Sequence, residues 1–389
     1  MSCPSVRMKF ICRLGYGDSL PRGEEFAGDV PVFGSNGQYA TTSVRNTHVP
    51  AIVLGRKGSY GKVNWAPDGC FASDTTFFVD ERLTVENLRW LYWTLQTLDL
   101  DEGSQEAAVP GLNRGSVYEE RVYLPSRAKQ ATIADYLDRE TARIDGLIAE
   151  KERMLALREE KRAALISCVV TRGLDPNALL KPSGQEWLGE IPAHWRVERA
   201  KNLFTVRDER SEDGSEELLT VSHITGVTSR SEKDVYMFEA DDKAGYKRCM
   251  SDDLAINTLW AWMGAMGVSP LAGIVSPDYH VYTSKGELLT NYVDLLCRSR
   301  PFVAEVSRWS KGVWSSRLRL YPENFLEIRL PVPPHEEQLE IVRAVETDQR
   351  KASALRDNLQ LSITLAKERR AALITAAVTG QIPLEEMPG

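Results

Sequence analysis

The residues that could support catalysis form only incomplete motifs. Gly55 to Val63 is similar to a phosphate-binding loop, but its outer glycines are one residue too far apart and Val63 stands where a Ser or Thr would reach magnesium. Ser276-Pro-Asp-Tyr279 differs from the amino-methyltransferase tetrapeptide because Asp278 replaces its second proline. The five histidines have no spacing suited to a triad or a metal site. We therefore expect no catalytic residue and no metal ligand in this chain, and a glycine-rich hairpin over 55–63.

Two groups of basic residues indicate binding instead of catalysis. From Arg298 to Arg319 there are six Lys or Arg residues and one acid, with Phe302, Trp309 and Trp314 between them. Arginine forks hold phosphates or guanine edges, and aromatic rings contact bases or methyl groups. The candidate DNA contacts from this segment and from the glycine-rich hairpin are Arg56, Lys57, Lys62, Arg298, Arg300, Lys311, Arg317 and Arg319. The alternative is a solvated charged surface above tryptophans that belong to the core.

Composition places the chain among folded proteins of ordinary charge. It has 389 residues, 42% of them hydrophobic, and Asp plus Glu (55) outnumber Lys plus Arg (48), so the net charge is −7. Bulk positive charge, the usual mark of a protein that binds nucleic acid by itself, is absent. The six cysteines include no Cys-x-x-Cys pair, which favours the reducing cytoplasm over secretion. The uncharged segment 254–277 contains three glycines and two prolines, so we predict two short strands, 254–261 and 271–275, and a soluble protein.

An internal repeat organises the chain. Lys161-Arg-Ala-Ala-Leu-Ile166 returns as Arg369-Arg-Ala-Ala-Leu-Ile374 after 208 residues, and Gln130 recurs as Gln338 at the same offset. A period of this length is too long for a solenoid and indicates two copies of one large unit.

Each copy ends in a long predicted helix. Apolar residues alternate by four and three, which is the spacing of a coiled coil. The helices are predicted to start at Ser126 and Pro334 and to stop at Gly173 and Gly380. The residues proposed to form the helix–helix seam are Leu137, Ile144, Ile148, Leu155 and Leu165 in the first copy and Val345, Leu359, Ile363 and Leu373 in the second. The alternative is a pair of ordinary amphipathic surface helices.

The remaining blocks contain short β-rich runs separated by Gly, Asn, Asp and Pro. The predicted order is a globular domain (1–126), a central helical region (127–173), a linker (174–186), a second globular domain (187–333), a C-terminal helical region (334–380) and a tail (381–389).

The motifs resemble those of the specificity subunit of type I restriction–modification systems, over nearly the whole chain. Leu124-Pro125 followed by Gln130 and Tyr136-Leu137-Asp138 is similar to the central helical region of that family. Leu330 to Gln338 is similar to the opening of its C-terminal helical region, and Trp187 to Trp195 to the start of its second target-recognition domain. In the first such domain the matching segments are Val30 to Gly37, Gly55 to Gly58 and Val109 to Asn113, which add Asn36 and Asn113 to the candidate DNA contacts.

The resemblance implies an α+β fold with two target-recognition domains, each reading one half of a split site in double-stranded DNA. Two long antiparallel helices forming a coiled coil would separate them, with an approximate two-fold internal repeat. Two modification subunits, which carry S-adenosylmethionine and methylate adenine at N6, would dock on the chain. Restriction subunits that use ATP and Mg²⁺ would add translocation and cleavage. The chain itself would bind none of these cofactors and catalyse nothing.

Three other functions remain open at this point. The nearest is the recognition chain of a combined cutting-and-methylating enzyme. A non-DNA scaffold built on a coiled coil is a second, and an intrinsic methyltransferase or nuclease is a third, which the incomplete motifs disfavour.

Overall fold

The computed structural model describes residues 5–23, 25–101, 111–232, 242–312 and 318–387. The chain divides into two units that do not follow sequence order. Unit 1 combines Met1–Glu152 with Leu359–Gly389, and unit 2 is the continuous stretch Arg153–Asn358. Each unit contains one β-rich globule and a part of each long helix.

The described residues of unit 1 before the first long helix form nine strands and two short α-helices. They are β1 (Ser5–Arg7), β2 (Gly15–Tyr16), β3 (Val30–Gly34), β4 (Gly37–Thr42), β5 (Ala51–Gly55), β6 (Val63–Ala66), β7 (Phe71–Ala72), β8 (Thr76–Val79), α1 (Leu88–Leu95), α2 (Arg114–Glu119) and β9 (Arg121–Tyr123). The central sheet has the order β2-β8-β5-β6 and is antiparallel throughout. A three-stranded sheet, β4-β3-β7, and the pair β1-β9 complete the globule.

The first long helix, α3 (Arg127–Arg172), follows β9 and carries residues of both units. The elements of unit 2 after it are β10 (Leu180–Pro182), β11 (Glu190–Pro192), β12 (Arg196–Arg199), α4 (Ala200–Leu203), β13 (Phe204–Arg207), β14 (Leu219–Ser222), β15 (Gly226–Ser229), β16 (Lys247–Cys249), β17 (Leu254–Asn257), β18 (Met266–Val268), β19 (Gly273–Val275), β20 (Tyr279–Ser284), α5 (Thr290–Arg298), α6 (Arg300–Trp309), α7 (Pro322–Glu327) and β21 (Arg329–Val332). The second long helix is α8 (His335–Val378).

The two globules share one topology. The central sheet of unit 2 has the order β13-β20-β17-β18, which repeats the order β2-β8-β5-β6 of unit 1, and the pair β12-β21 repeats the pair β1-β9. The strand registers make 52–54 of β5 equivalent to 254–256 of β17, because these are the three residues of each strand that pair with both neighbouring strands. The predicted α+β class and the internal repeat are therefore confirmed at the level of the fold.

The long helices begin and end where the sequence predicted. α3 starts directly after Ser126 and stops before Gly173, whose φ is 73°. α8 starts directly after Pro334 and stops shortly before Gly380, whose φ is 76°. Glycine ends helices in this left-handed conformation because other residues meet a steric penalty there.

The two long helices run antiparallel within each unit. In unit 1, Asp145 of α3 pairs with Arg370 of α8 at 2.8 Å, and Glu152, later in α3, pairs with Lys367, earlier in α8, at 3.3 Å. In unit 2, Arg158 of α3 pairs with Asp348 of α8 at 3.8 Å.

Apolar residues from both helices enter the globule cores. The core of unit 1 joins Phe77, Trp90, Leu137 and Val378, and the core of unit 2 joins Val170, Trp195, Tyr292, Phe325 and Val345. Each residue of this size stabilises the unit by roughly 1.5–3 kcal/mol when it is fully buried. A globule and its helix segments therefore form one hydrophobic core and not two separate layers.

None of the nine proposed seam residues is exposed. Leu137, Ile144, Ile148, Val345, Leu359 and Ile363 are buried, while Leu155, Leu165 and Leu373 are half-buried. Near the C-terminal end of each helix, Ile166 and Ile374 are buried, whereas the proposed leucines one residue earlier are only half-buried. The buried side of the helix shifts there because its last turns pack into the core of the globule.

Two segments differ from expectation. The predicted linker contains β10, which pairs antiparallel with β11, so 180–182 is part of a small sheet. The uncharged segment 254–277 holds three strands instead of the two predicted, because β18 lies between β17 and β19. β17 ends at Asn257, ahead of a short 3₁₀ helix over 261–263, and β19 lies in a different sheet from β17 and β18. Among the described residues, no helix is both long enough and apolar enough to cross a membrane.

Candidate nucleic-acid interface

A cationic cleft opens on the globule of unit 1. Its volume is about 640 Å³, and the residues that line it are Tyr16, Arg56, Lys57, Phe77, Gly111, Leu112, Asn113, Arg114, Gly115 and Tyr118. These ten lining residues include three cations and no acid. Three of the residues predicted from the sequence, Arg56, Lys57 and Asn113, are thus brought together in one place.

The backbone of the predicted glycine-rich hairpin positions Arg56. Strand β5 pairs antiparallel with β6, and the Gly55 N–H donates to the Lys62 carbonyl at 2.9 Å, so the hairpin is confirmed. A Cβ at Gly55 would lie 2.5 Å from the Ser35 carbonyl oxygen, which leaves room only for glycine. The Arg56 N–H then donates to Thr75, and the Arg56 carbonyl accepts from the Leu112 N–H at 2.8 Å. The hairpin and the segment before α2 are held together by this last bond.

Two guanidinium groups flank the ring of Tyr16. The Cζ of Arg56 lies 5.2 Å from the ring centroid and that of Arg114 lies 5.0 Å from it. Tyr16 is 49% exposed. Arg56 also donates from Nη2 to the Asp74 carbonyl at 2.7 Å, while its Nε is buried without a hydrogen-bond partner among the described residues. Contact with an aromatic face orients an arginine fork toward a planar or anionic ligand.

The remaining candidates of unit 1 have structural contacts. Asn113 caps α2, because its Oδ1 accepts from the Gly115 N–H at 2.7 Å, and it lies on the wall of the cleft. Lys62 donates to the Oδ1 of Asn36 at 2.5 Å, and neither residue is among those that line the cleft. Tyr16 and Arg114 were not predicted as site residues. The only sequence signal for Tyr16 was its position between two glycines.

The equivalent location in unit 2 carries different side chains. The Thr258 carbonyl accepts from the Leu320 N–H at 3.2 Å, just as the Arg56 carbonyl accepts from Leu112 in unit 1. Thr258 therefore takes the place of Arg56, and Arg319 and Tyr321 take the places of Gly111 and Asn113. The two units therefore share this backbone hydrogen bond, but the side chains at the equivalent positions differ in charge and polarity.

The loop after β17 presents two tryptophans where unit 1 presents its basic hairpin. The Trp260 and Trp262 rings are stacked with centroids 6.3 Å apart and an interplanar angle of 19°. Trp260 is 50% exposed, and the Trp262 indole N–H donates to the Leu259 carbonyl at 3.0 Å. Sequence reasoning missed this tryptophan surface, because it identified the segment only by its lack of charge.

Two predicted basic residues lie beside this loop. Lys311 and Arg319 form an antiparallel bridge, with both backbone N–H···O distances at 2.9 Å, and Leu320 joins it to Thr258. Arg317 and Trp314 lie outside the described residues. These backbone hydrogen bonds therefore place Lys311 and Arg319 at the position that corresponds to the cleft of unit 1.

The other basic residues of 298–319 have different surroundings. Arg298, in α5, pairs with Asp294 at 3.3 Å and its side chain is only 19% exposed, while Arg300 is exposed at the start of α6. Phe302 is buried in the core of unit 2, and the Trp309 indole N–H donates to Glu305 at 2.7 Å. For these two aromatic residues the structure favours the alternative of core and packing roles.

A buried cation lies near the same surface of unit 2. The Nζ of Lys247 donates to the Tyr279 carbonyl at 2.8 Å and lies 3.2 Å from Nδ1 of His280. Burial, with the neighbouring Lys247 charge as a second cause, lowers the pKa of His280 to about 4, and burial also lowers the pKa of Lys247. His280 is therefore neutral near pH 7, and its Nδ1 can accept a hydrogen bond from the Lys247 ammonium group.

Among the described residues, no group of three or more His, Cys, Asp or Glu side chains could hold a metal ion.

Comparisons with known proteins agree with this architecture. No protein-family model matches the chain. The type I restriction enzyme EcoDI specificity subunit of Escherichia coli is 20% identical over 319 residues, which cover 76% of this chain and 70% of that protein.

Two solved structures show the same fold at low identity. A chain from work on complex assembly and conformational transition of the type I restriction–modification system has a TM-score of 0.70 at 14% identity, with 98% of both chains covered. The HsdS subunit from Thermoanaerobacter tengcongensis has a TM-score of 0.50 at 13% identity, covering 98% of this chain and 97% of that one. In sequence and in fold, this chain resembles the specificity subunits of type I restriction–modification systems.

Proposed function

We propose that this chain is the DNA-binding specificity subunit of a type I restriction–modification complex. It reads a bipartite site in double-stranded DNA and directs adenine-N6 methylation, and restriction, by partner subunits. The observation that carries the proposal is the repeated contact between loop and segment, Arg56 with Leu112 and Thr258 with Leu320. One frame occurs twice with different side chains, as a reader of two unlike half-sites requires.

In unit 1 the cleft offers the chemistry of phosphate and guanine recognition. Arg56, Lys57 and Arg114 are its cations, and no acid lines it. An arginine fork binds guanine O6 and N7 in the major groove, and a positively charged rim holds phosphates in register. Arg56, fixed by the Asp74 carbonyl and the Tyr16 ring, is suited to a base edge, and the exposed Arg114 to a phosphate.

In unit 2 the corresponding surface offers apolar contact. Trp260 would touch a thymine methyl group or a base edge, and Lys311 and Arg319 would supply charge beside it. Because arginine and tryptophan select different bases, the two half-sites would differ in sequence.

Partner subunits supply what this chain lacks. Two modification subunits would bring S-adenosylmethionine, and restriction subunits would bring ATP and Mg²⁺. They would also provide much of the phosphate contact, which accounts for a DNA reader with a net charge of −7. The purified chain should neither methylate nor cut DNA, and addition of the modification subunit should restore adenine methylation. Turnover by the chain alone, free of contaminants, would refute this part.

The decisive experiment exchanges the first globular domain. Residues 1–126 are replaced with the same block from a relative of known specificity, and methylated adenines are mapped across the host genome. We expect one half of the methylated motif to change while the other half stays constant. A change in both halves would mean that the two globules do not read independently, and no methylation dependent on the chain would refute the proposed function altogether.

A further inference from the structure

In unit 1 an arginine fills the space between the globule and the helix α3. The Nε of Arg89, in α1, donates to Oδ1 of Asp138 at 2.8 Å. Its Cζ lies 4.8 Å from the ring of Trp65, 4.6 Å from that of Tyr92 and 5.0 Å from that of Trp93. The Trp93 indole N–H donates to the same carboxylate at 2.8 Å. One guanidinium thus has three aromatic walls and one anionic partner.

Unit 2 has lost every one of these filling groups. The N-cap residue Asn87 of α1 corresponds to Leu289 of α5, since the N–H of each donates to its repeat-related glutamine. The strand registers make Val268 equivalent to Trp65, and the 208-residue offset of the long helices makes Glu346 equivalent to Asp138. Counting along α5 from Leu289, Asn291 replaces Arg89, Asp294 replaces Tyr92 and Leu295 replaces Trp93. Only the carboxylate on the long helix is retained, as Glu346 in place of Asp138.

A cavity occupies the place of the missing groups. Its volume is about 350 Å³, and all five replacement residues line it. Val342 and Val345 of α8 form an apolar wall, and both are buried. The cavity therefore corresponds to the space that the Arg89 side chain fills in unit 1. Glu346 retains there the carboxylate of Asp138.

The charge of the cavity suits a cation. Asp252, Asp294 and Glu346 line it, and Arg298 is its one cationic lining residue. Asp294 is engaged by Arg298 at 3.3 Å and by the Val268 N–H, and Asp252 accepts from Thr290 at 3.0 Å. Glu346 forms no ion pair with any described residue within 4.0 Å, whereas Asp138 in unit 1 pairs with Arg89. A carboxylate above apolar walls is a favourable seat for a guanidinium, whose hydration is weak.

We propose that this cavity receives an arginine side chain of the modification subunit, with Glu346 as its partner. The identity of the partner rests on the proposed function; the chemistry of the occupant rests on the unit 1 counterpart. The incoming guanidinium would pair with Glu346 as Arg89 pairs with Asp138, and its methylene groups would cover Val342 and Val345. In unit 1 the equivalent space is already filled by Arg89, so only unit 2 can receive an arginine from the partner.

Two substitutions test the cavity in opposite ways. Asn291→Arg puts an arginine at the position of Arg89, so it should fill the cavity from within and exclude the partner's side chain. Glu346→Gln keeps the volume and removes the charge. Glu340→Gln, an exposed position on the same helix that does not line the cavity, is the matched control.

The measurement is the affinity of the full-length chain for the purified modification subunit, with stoichiometry from native mass spectrometry. We expect both cavity variants to weaken binding of one of the two modification subunits by about tenfold or more. Glu340→Gln should bind like the unchanged chain, and Asn291→Arg should unfold at the same or a higher temperature. Unaltered affinity for Glu346→Gln, or for a folded Asn291→Arg, would overturn the cavity proposal. Absence of binding by the unchanged chain would instead refute the proposed function.

Discussion

Gln338 repeats two of the hydrogen bonds that Gln130 makes 208 residues earlier in the chain. In each, Oε1 accepts at 2.8 Å from the N–H of the residue that caps a short helix, Asn87 or Leu289. In each, Nε2 donates to the carbonyl of a proline five residues upstream, Pro125 at 2.9 Å or Pro333 at 3.0 Å. Both side chains are fully buried. The glutamine therefore joins the strand before the long helix, the helix itself and the globule at one point.

Replacing either glutamine should destabilise its own unit. Gln130→Leu leaves the Asn87 N–H and the Pro125 carbonyl buried without a partner, at a cost of about 1–3 kcal/mol each. We expect the free energy of unfolding to fall by roughly 3 kcal/mol in urea titrations. Gln338→Leu should act equally on unit 2. Gln360→Leu, on the exposed side of α8, is the control and should change it by less than about 0.5 kcal/mol. Equal effects for Gln130 and Gln360 would contradict a joining role.

Arg114→Ala should weaken DNA binding by the assembled complex to every sequence alike. Loss of one phosphate contact reduces the slope of log affinity against log salt by about 0.9. The readout is a series of binding titrations at several salt concentrations. Arg13→Ala, an exposed arginine of unit 1 outside the cleft, should leave the slope unchanged. An unchanged slope for Arg114→Ala would remove this residue from the interface.

Arg319→Ala should affect the second half-site only. If the side chain reads a guanine, its loss removes about 1–3 kcal/mol of discrimination at one base pair. Competition binding with single-base variants of the target would measure this. Lys285→Ala, exposed in the same unit, serves as the control. Unchanged affinity at all salt concentrations would favour a solvated charged surface.

Trp260→Ala should relax base selection without unfolding unit 2. The ring is 50% exposed, so its loss has little effect on the core. We expect one position of the second half-motif to become degenerate in methylation maps while the first half-motif is retained. The comparison is Ile224→Ala, a side chain 77% exposed in the same unit, which should preserve the motif. A full motif in the Trp260 variant would exclude a reading role for the ring.

His280 should make unit 2 sensitive to acid. Its pKa of about 4 lies below the ordinary value of 6.5, so between these values the unfolded chain binds a proton that the folded chain does not. Stability therefore rises with pH across this window and is lost as pH falls through it. We expect a loss of about 2 kcal/mol, since one pKa unit corresponds to about 1.4 kcal/mol and the half-buried ring is partly solvated.

The charged groups that act on His280 are Lys247, Glu323, Asp208 and Asp278. Urea unfolding at pH 4.5 and 7 would test the prediction. His280→Gln should flatten the dependence, whereas His223→Gln, at an exposed position, should not. An identical pH dependence in the His280 variant would show that other groups control it.

The sequence was most informative where a single residue determines the local backbone. Gly173 and Gly380 end the long helices because their left-handed conformation costs other residues energy, and the same property made the hairpin after Gly55 predictable. The recurrence of Gln130 as Gln338 could be read from the sequence. Its structural role could not, because that role depends on hydrogen bonds to Asn87 and Leu289, which no local pattern reveals.

The cleft could not be assembled from the sequence. Tyr16 and Arg114 are far apart in the chain, and they meet because β2 pairs with β8 and Leu112 bonds to Arg56. Only tertiary contacts bring such residues together. The strand β10 was missed for a related reason: Leu-Lys-Pro has the polarity of a linker, and its pairing with β11 defines it.

The non-sequential composition of unit 1 has a consequence for synthesis on the ribosome. Unit 2 is one continuous stretch, whereas the core of unit 1 includes Ile374 and Val378, which follow it. At about 5–20 residues per second, roughly 10–40 s separate the last early residue of unit 1 from the helix segment that completes its core. The first globule made is therefore the last to be closed. During that interval the apolar face around Leu137 lacks its native cover, so a released chain that ends at residue 358 should expose apolar surface in unit 1 although every residue of unit 2 is present.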